Sequence, residues 1–226
     1  MSNNRSIFVD QNHELVSKMR AFYDANPYGD RKYYGVTKVL SETKSAEDKA
    51  SLQKWREKVG EEKAEAILQE SLMIGNSLDM MIEKFLAGNI GDIKQYKDEP
   101  GLNLFYQMKP ILENIDTIGL QIHMYSDKYK IQGYLDCIGI KNGVLTMIDF
   151  KNSRSRKSEK YIQDYFLQAA IYCILIYEMT GIVINDIMII LGIRDSYVTQ
   201  VATAKLKDHI VAAKERIAKF NELKGR

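Results

Sequence analysis

The segment Lys130-Ile131-Gln132-Gly133-Tyr134-Leu135-Asp136-Cys137-Ile138-Gly139-Ile140, then Lys141-Asn142-Gly143, then Val144-Leu145-Thr146-Met147-Ile148-Asp149-Phe150-Lys151 reads as two strands joined by a hairpin turn. In a strand, residues two apart share a face, so Asp149 and Lys151 point the same way and Phe150 points into the core. Asp136, on the neighbouring strand, can face the same spot. Working outward, the predicted strands are Thr117–Ser126 before this hairpin and, after it, Asp186–Arg194 and Tyr197–Ala204. A helix over Ser158–Thr180, stopped by Gly181, separates the two groups. A basic amphipathic helix over Lys207–Leu223 closes the chain. Upstream the pattern is mainly helical, with a short amphipathic helix over residues 10–24, ended by Asn26-Pro27-Tyr28-Gly29-Asp30. A long helical region from about Ala46 to Ala87 follows, with a joint at Gly60 and an interruption at Gly75, and then a helix over Leu102–Asn114. Helices first, then β-β-β-α-β-β-α, predict an α/β (α+β) fold with a mixed central sheet flanked by helices. Residues 1–226 are read as one domain, with a helical part at 1–115 and the α/β core at 116–226.

Composition narrows the class. Hydrophobic residues make up 45% and charged residues 27% of 226 positions, which is ordinary for a globular chain with a full core. A net charge of +2 says little about partners. Cys137 and Cys173 both lie in apolar runs and read as buried thiols; two cysteines exclude a four-cysteine zinc or iron–sulfur site. The polar opening Met1-Ser2-Asn3-Asn4-Arg5-Ser6 lacks the apolar core of a signal peptide, and Ile171–Met179 is too short to span a bilayer, so a cytoplasmic location and no membrane partner are expected. Trp55, Val59, Ala64, Ile67, Leu68, Leu72, Leu78, Ile82, Phe85 and Leu86 recur at helical spacing and are expected to be mostly core.

Two carboxylates beside one ammonium make little sense as core and good sense as a Mg²⁺ site beside a phosphate. Alone, Asp-x-Lys also reads as a solvated strand end. On the helix after Lys151, Tyr165, Gln168 and Tyr172 share a face, and a buried Gln there needs a hydrogen-bond partner. Asp79 and Glu83 lie one helical turn apart and read equally as an exposed acidic pair. Between positions 141 and 160, six basic side chains (Lys141, Lys151, Arg154, Arg156, Lys157, Lys160) face two acids, Asp149 and Glu159. Beside a phosphodiester site such a run can clamp a nucleic-acid backbone. Trp55, Tyr33 and Tyr34 are available for base stacking, which would favour single strands or frayed ends.

Five pieces, in order, carry a family resemblance. They are Tyr34-Gly35-Val36-Thr37-Lys38-Val39-Leu40-Ser41, then Trp55-Arg56 with Gly60, then Gly75 through Leu78-Asp79 to Ile82-Glu83, then Gly133-x-x-Asp136 with Asp149-x-Lys151, and finally Gln168-x-x-x-Tyr172. The chain resembles the PD-(D/E)xK nuclease superfamily in its RecB-like branch, and is similar to the phage exonucleases related to the mitochondrial genome maintenance exonuclease. The resemblance spans Tyr34 to Tyr172. It implies a restriction-endonuclease-like fold and Mg²⁺- or Mn²⁺-dependent hydrolysis of DNA, in the host cytoplasm if phage-encoded. It implies Asp136 and Asp149 as metal ligands with Asp79 as the third, Lys151 near the attacked phosphate, and Gln168 and Tyr172 supporting the site on their helix. Asp79 stands where this branch usually has His, and Gln121 where many members have Glu. Three activities follow: an exonuclease preferring single-stranded DNA or free ends, a structure-selective endonuclease on the same scaffold, and a nucleic-acid-binding module that has lost chemistry. Cutting of circular single strands separates the first two, and divalent-metal dependence separates both from the third.

Overall fold

The computed structural model describes residues 6–225, so Met1–Arg5, including most of the polar opening, lie outside the described residues. One seven-stranded mixed sheet organises the chain. Its strands are β1 (Ile7–Phe8), β2 (Tyr34–Gly35), β3 (Asp116–Ser126), β4 (Ile131–Lys141), β5 (Val144–Ser153), β6 (Asp186–Ile193) and β7 (Gln200–Lys205). The spatial order is β1-β3-β4-β5-β6-β7, with β2 added parallel to the start of β4. The β5–β6 pair is parallel and is connected through a 22-residue helix; the other neighbours along the path are antiparallel.

Local chemistry explains the sharpest features. The β4–β5 turn places Asn142 at φ 52° and Gly143 at φ 76°, the pair of left-handed residues that a two-residue hairpin requires. The helices are α1 (Glu14–Ala25), α2 (Val36–Glu42), α3 (Ala46–Val59), α4 (Glu61–Leu86), α5 (Leu102–Leu112), α6 (Glu159–Thr180) and α7 (Leu206–Leu223). Ser45 Oγ accepts from Asp48 N at the start of α3, and Gly181 ends α6 in the left-handed conformation. Helices α1, α2, α6 and α7 bury one face of the sheet, and α4 and α5 the other. The N-terminal part therefore contributes two strands and a covering layer to the same sheet that carries the hairpin. Cys137 and Cys173 are free and buried. No helix among the described residues is long and apolar enough to cross a membrane.

Several expectations are corrected. Gly75 does not interrupt α4, which runs unbroken for 26 residues. Its missing side chain serves packing instead, since a Cβ there would sit 3.0 Å from Asn152 Nδ2 at the end of β5. The last strand begins at Gln200, leaving Tyr197 in a loop. Helix α3 buries none of its residues, so Trp55 and Val59 are half-buried; Ile67 and Phe85 are also half-buried, and Leu68 and Leu72 exposed. The helical period is present there, but the α3–α4 hairpin projects beyond the sheet that would cover its apolar stripe.

The α4–α5 layer depends on one close approach. Ser77 Oγ accepts from Gly101 N at 3.0 Å, and a Cβ at Gly101 would meet Leu78 N at 2.6 Å and Leu78 Cα at 2.9 Å. Backbone cannot yield as a side-chain tip can. Gly101→Ala should therefore lower stability by about 1–3 kcal/mol, read as a fall in the urea midpoint at unchanged slope. An unchanged midpoint would show that α5 does not press on α4 this tightly.

Candidate functional site

The site grows from a gap in the sheet. On one edge β4 pairs with β5 over Cys137–Lys141 and with β2 over Ile131–Gln132. Gly133-Tyr134-Leu135-Asp136 lies between and has no ladder partner on that edge, because β5 leaves β4 after Ile148 and continues alongside β6 alone to Ser153. Two residues beyond the last pair, Phe150 N donates to Asp136 Oδ2 at 3.0 Å. A carboxylate thus replaces a strand at the point of divergence.

Asp136 can do this because the pleat slips there. Leu135 and Ile138, three apart, both pack on the α6 side, whereas Cys137 packs on the α4–α5 side. The partner strand β3 slips with it: Leu120 and Ile122, two apart, pack on opposite sides, and Gln121 between them takes φ 48°. A left-handed non-glycine residue inside a strand costs about 1–3 kcal/mol, and such strain gathers at functional sites. Asp136 then opens into a narrow cleft whose polar rim is Asp79, Glu83 and Gln121, over a floor of Ile82, Leu120 and Phe150.

Asp149 shares parity with Met147, which packs on the α6 side. A solvated strand end is ruled out for Asp149, which is 1% exposed. Lys151 Nζ lies 2.5 Å from its Oδ2, and yet neither Asp149 oxygen has a directed hydrogen bond. The ammonium is a close ion contact held off the hydrogen-bonding direction. Burial raises the Asp149 carboxyl, the Lys151 ammonium opposes the rise, and the neighbouring Asp136 carboxylate adds to it. For Lys151 burial pulls downward, but the Asp149 and Asp136 carboxylates outweigh it and hold the ammonium above its ordinary value. Tyr172 backs the pair from α6, and its hydroxyl accepts from Gln168 Nε2 at 3.0 Å. The ring fits only because position 133 has no side chain, since a Cβ there would be 2.7 Å from Tyr172 Cε1. Tyr165, two turns earlier on the same helix, lays its ring 5.7 Å from Lys151 Nζ.

The sequence-predicted residues divide accordingly. Asp136, Asp149, Lys151, Gln168 and Tyr172 come together at the gap. Asp79 hangs from α4 on the opposite side of β5, at the rim of the Asp136 cleft. Among the described residues no three His, Cys, Asp or Glu side chains gather closely enough to hold a metal. Even so, the donors fit a hard divalent cation in kind: Asp149 Oδ1 has no partner, its Oδ2 meets only the Lys151 ammonium as an ion contact, and the Phe150 bond uses one oxygen of Asp136.

The nucleic-acid set is only partly brought together. Arg154, Arg156 and Lys157 leave the end of β5 just past Lys151. Lys141 does not belong with them: it closes the hairpin at the other end of β4, about 17 Å from Asp136 at strand rise, and its Nζ donates to Asn114 O. Tyr34 is packed edge-on against the Phe220 ring, with Lys38 and Lys224 ammoniums 5.2 and 5.6 Å from its centroid. Trp55 is half-buried on α3. Sequence reasoning missed Arg194. This residue bridges the end of β6 to α4 through Glu70 at 3.2 Å and Ser71 Oγ at 3.2 Å, and keeps a buried Nε without a partner. Only the arrival of β6 beside Lys151 reveals it.

No protein-family model matches the chain, and no curated protein matches it. Among solved structures the chain is similar to "Crystal structure of SSO0001", at 15% identity and a TM-score of 0.40, covering 91% of this chain and 83% of that one. At that distance the likeness carries no functional information.

The cleft electrostatics give a pH signature. Asp79 remains open to solvent, yet protein crowds around it. Desolvation, with Asp136 repelling and Lys151 attracting, pushes its carboxyl from 3.8 up to about 7. A raised carboxyl means that the folded state binds the extra proton, so stability falls as pH rises between those two values. Asp79→Asn should flatten that decline and be more stable than the parent above neutrality, measured by urea unfolding in EDTA across the window. A parallel decline in both proteins would place Asp79 outside the cleft field.

Proposed function

We propose that the chain is a metal-dependent nuclease hydrolysing DNA phosphodiester bonds, acting on unpaired strands or free ends. The observation that carries this reading is the gap itself: Asp136, buried Asp149 and Lys151 converge where β4 lacks a partner, backed by Gln168 and Tyr172. That is the residue set, in the same chain order, for which the sequence resembles RecB-like PD-(D/E)xK exonucleases. A structural ion pair would not need an open strand edge beside it.

Asp136 and Asp149 would hold Mg²⁺ or Mn²⁺, with Asp79 the nearest further carboxylate, and the ion when bound supplies Lewis acidity and an activated water. The chain's own residues do the rest. Lys151, kept protonated by its two carboxylate neighbours, presents a fixed positive charge to the phosphoryl oxygens as negative charge grows on them. The Tyr172 ring, pressed against Gly133, excludes water from behind the pair and lowers the local dielectric. That strengthens the interaction of Lys151 with phosphate. The Gln168 bond fixes the Tyr172 hydroxyl, and the Asp136–Phe150 bond keeps the strands apart so that the Asp136 carboxylate stays in the gap.

End-labelled single- and double-stranded oligonucleotides incubated with Mg²⁺, Mn²⁺ or EDTA test the reading directly. Cleavage should require the metal and spare circular single strands; cutting of circles would identify an endonuclease. Lys151→Ala and Asp149→Asn should each reduce the rate at least ~100-fold in protein shown to be folded by circular dichroism. Near-parental rates in either folded variant, or cleavage in EDTA, would remove these residues from the chemistry.

A further inference from the structure

The loops after β5 and β6 leave the sheet side by side, in register at Ser153 and Ile193, and are joined rather than free. Arg194 N donates to Ser153 O and Asp195 N to Arg154 O, both at 2.9 Å. Arg154 Nε reaches Asp195 Oδ2 at 3.1 Å. Gln200 clamps the Lys157 backbone at both ends, accepting from its N at 2.9 Å and donating to its O at 2.8 Å. From below, Gln107 on α5 accepts from Ile193 N at 2.9 Å and donates to Ser196 O at 2.5 Å, and Thr199 Oγ1 returns a bond to Gln107 O at 3.0 Å. A backbone held this often is a rigid surface, although it carries no apolar core.

On this frame stand two aromatic rings that the protein does not use for its own packing. Tyr197 is 100% exposed, and Tyr161, in the first turn of α6, is 63% exposed with Lys157 Nζ 5.7 Å from its ring. The accompanying charge is basic: Arg154, Arg156 and Lys157, with Asp195 already paired to Arg154. Arg154 follows Lys151 by three residues, so the surface adjoins the candidate site. We infer that the joined β5–α6 and β6–β7 loops form a platform for an unpaired nucleic-acid strand, with Tyr197 and Tyr161 stacking on its bases and Arg156 and Lys157 holding its phosphates. This deepens the nuclease reading and rests on it for the choice of ligand. Continuous duplex hides its base faces, whereas every unpaired base offers one, so the platform selects single strands without reading sequence. Because the loops are already fixed, little ordering cost falls on binding.

Binding is measured apart from cleavage, with the full-length protein in EDTA, by fluorescence anisotropy. The probes are a labelled thymidine homopolymer, the same backbone carrying abasic sites, and a duplex. Tyr197→Ala and Tyr161→Ala should each weaken binding of the thymidine strand about tenfold and leave binding of the abasic strand unchanged. Tyr197→Trp should retain full affinity. Parental affinity in both alanine variants overturns the platform, and so does an equal loss on the abasic strand, which would mean that the rings support the loops rather than touch bases. Failure of the nuclease reading shows separately, as no metal-dependent cleavage while the tyrosine effects on binding persist.

Discussion

The hydrogen bond from Phe150 N to Asp136 Oδ2 is the contact around which the site is arranged. When two strands part inside a protein, backbone N–H and C=O groups lose their partners, and each orphan buried away from water costs free energy comparable to a lost hydrogen bond. Strand β5 parts from β4 after Ile148, and Asp136 supplies the acceptor that β4's backbone no longer presents. The sheet can therefore stay open over Gly133–Asp136. That opening gives Tyr172 its seat against Gly133 and exposes the second Asp136 oxygen to the cleft. With a neutral alkyl side chain at 136, Phe150 N would be orphaned and closure of the ladder would be favoured.

Around this opening the molecule tolerates what a core normally avoids. Asp149 is enclosed without a directed hydrogen bond, and Asn152 Oδ1 and Arg194 Nε nearby are also buried and unsatisfied. Asn152 is the penultimate residue of β5 and Arg194 directly follows β6, at the end of the sheet onto which α4 docks, while Asp149 lies three residues before Asn152. The strand ends that carry Asp149 and Lys151 therefore also carry unpartnered polar atoms at Asn152 and Arg194. The basic loops continue from the same strand ends, so unsatisfied polarity, positive charge and exposed tyrosines form one gradient leading away from Lys151.

How far the sequence could be read follows from the range of the forces involved. The hairpin was legible because Asn142-Gly143 carries its own backbone preference, and α6 because Ser158 and Gly181 mark its ends. Asp136, Asp149, Lys151, Gln168 and Tyr172 were found through strand parity, helical spacing and family likeness, and the fold brings these five together. Spacing along the chain misled where the turn reverses direction: Lys141 is ten positions from Lys151 but lies at the other end of its strand. Periodicity misled on α3 and on the first half of α4, since an apolar stripe shows what could be buried without showing that a sheet reaches it. Gly75 read as a helix breaker because its packing partner, Asn152, is 77 positions away. Arg194, Tyr161 and Tyr197 carried no local signal, since their surroundings exist only once β6 lies beside β5.

Gln121 shows why a period-two reading stops short of the site. A perfect alternation would send Leu120 and Ile122 to one face and commit Asp136 wholly to one side of the sheet. A carboxylate so committed could not turn in the plane of the sheet to meet Phe150 N. The left-handed backbone at Gln121 reverses the pleat of β3, and the slip at Asp136 reverses that of β4. As a result Leu120 stays opposite Cys137 and Ile122 opposite Leu135 across the same irregularity. Both strands change faces together, so the ladder between them survives and the cost is confined to one strained residue. What that strain secures is the orientation of Asp136 between the α4 cleft, where Asp79 waits, and the buried Asp149–Lys151 pair on the α6 side. Alone among the site's carboxylates, Asp136 can serve both sides of the sheet.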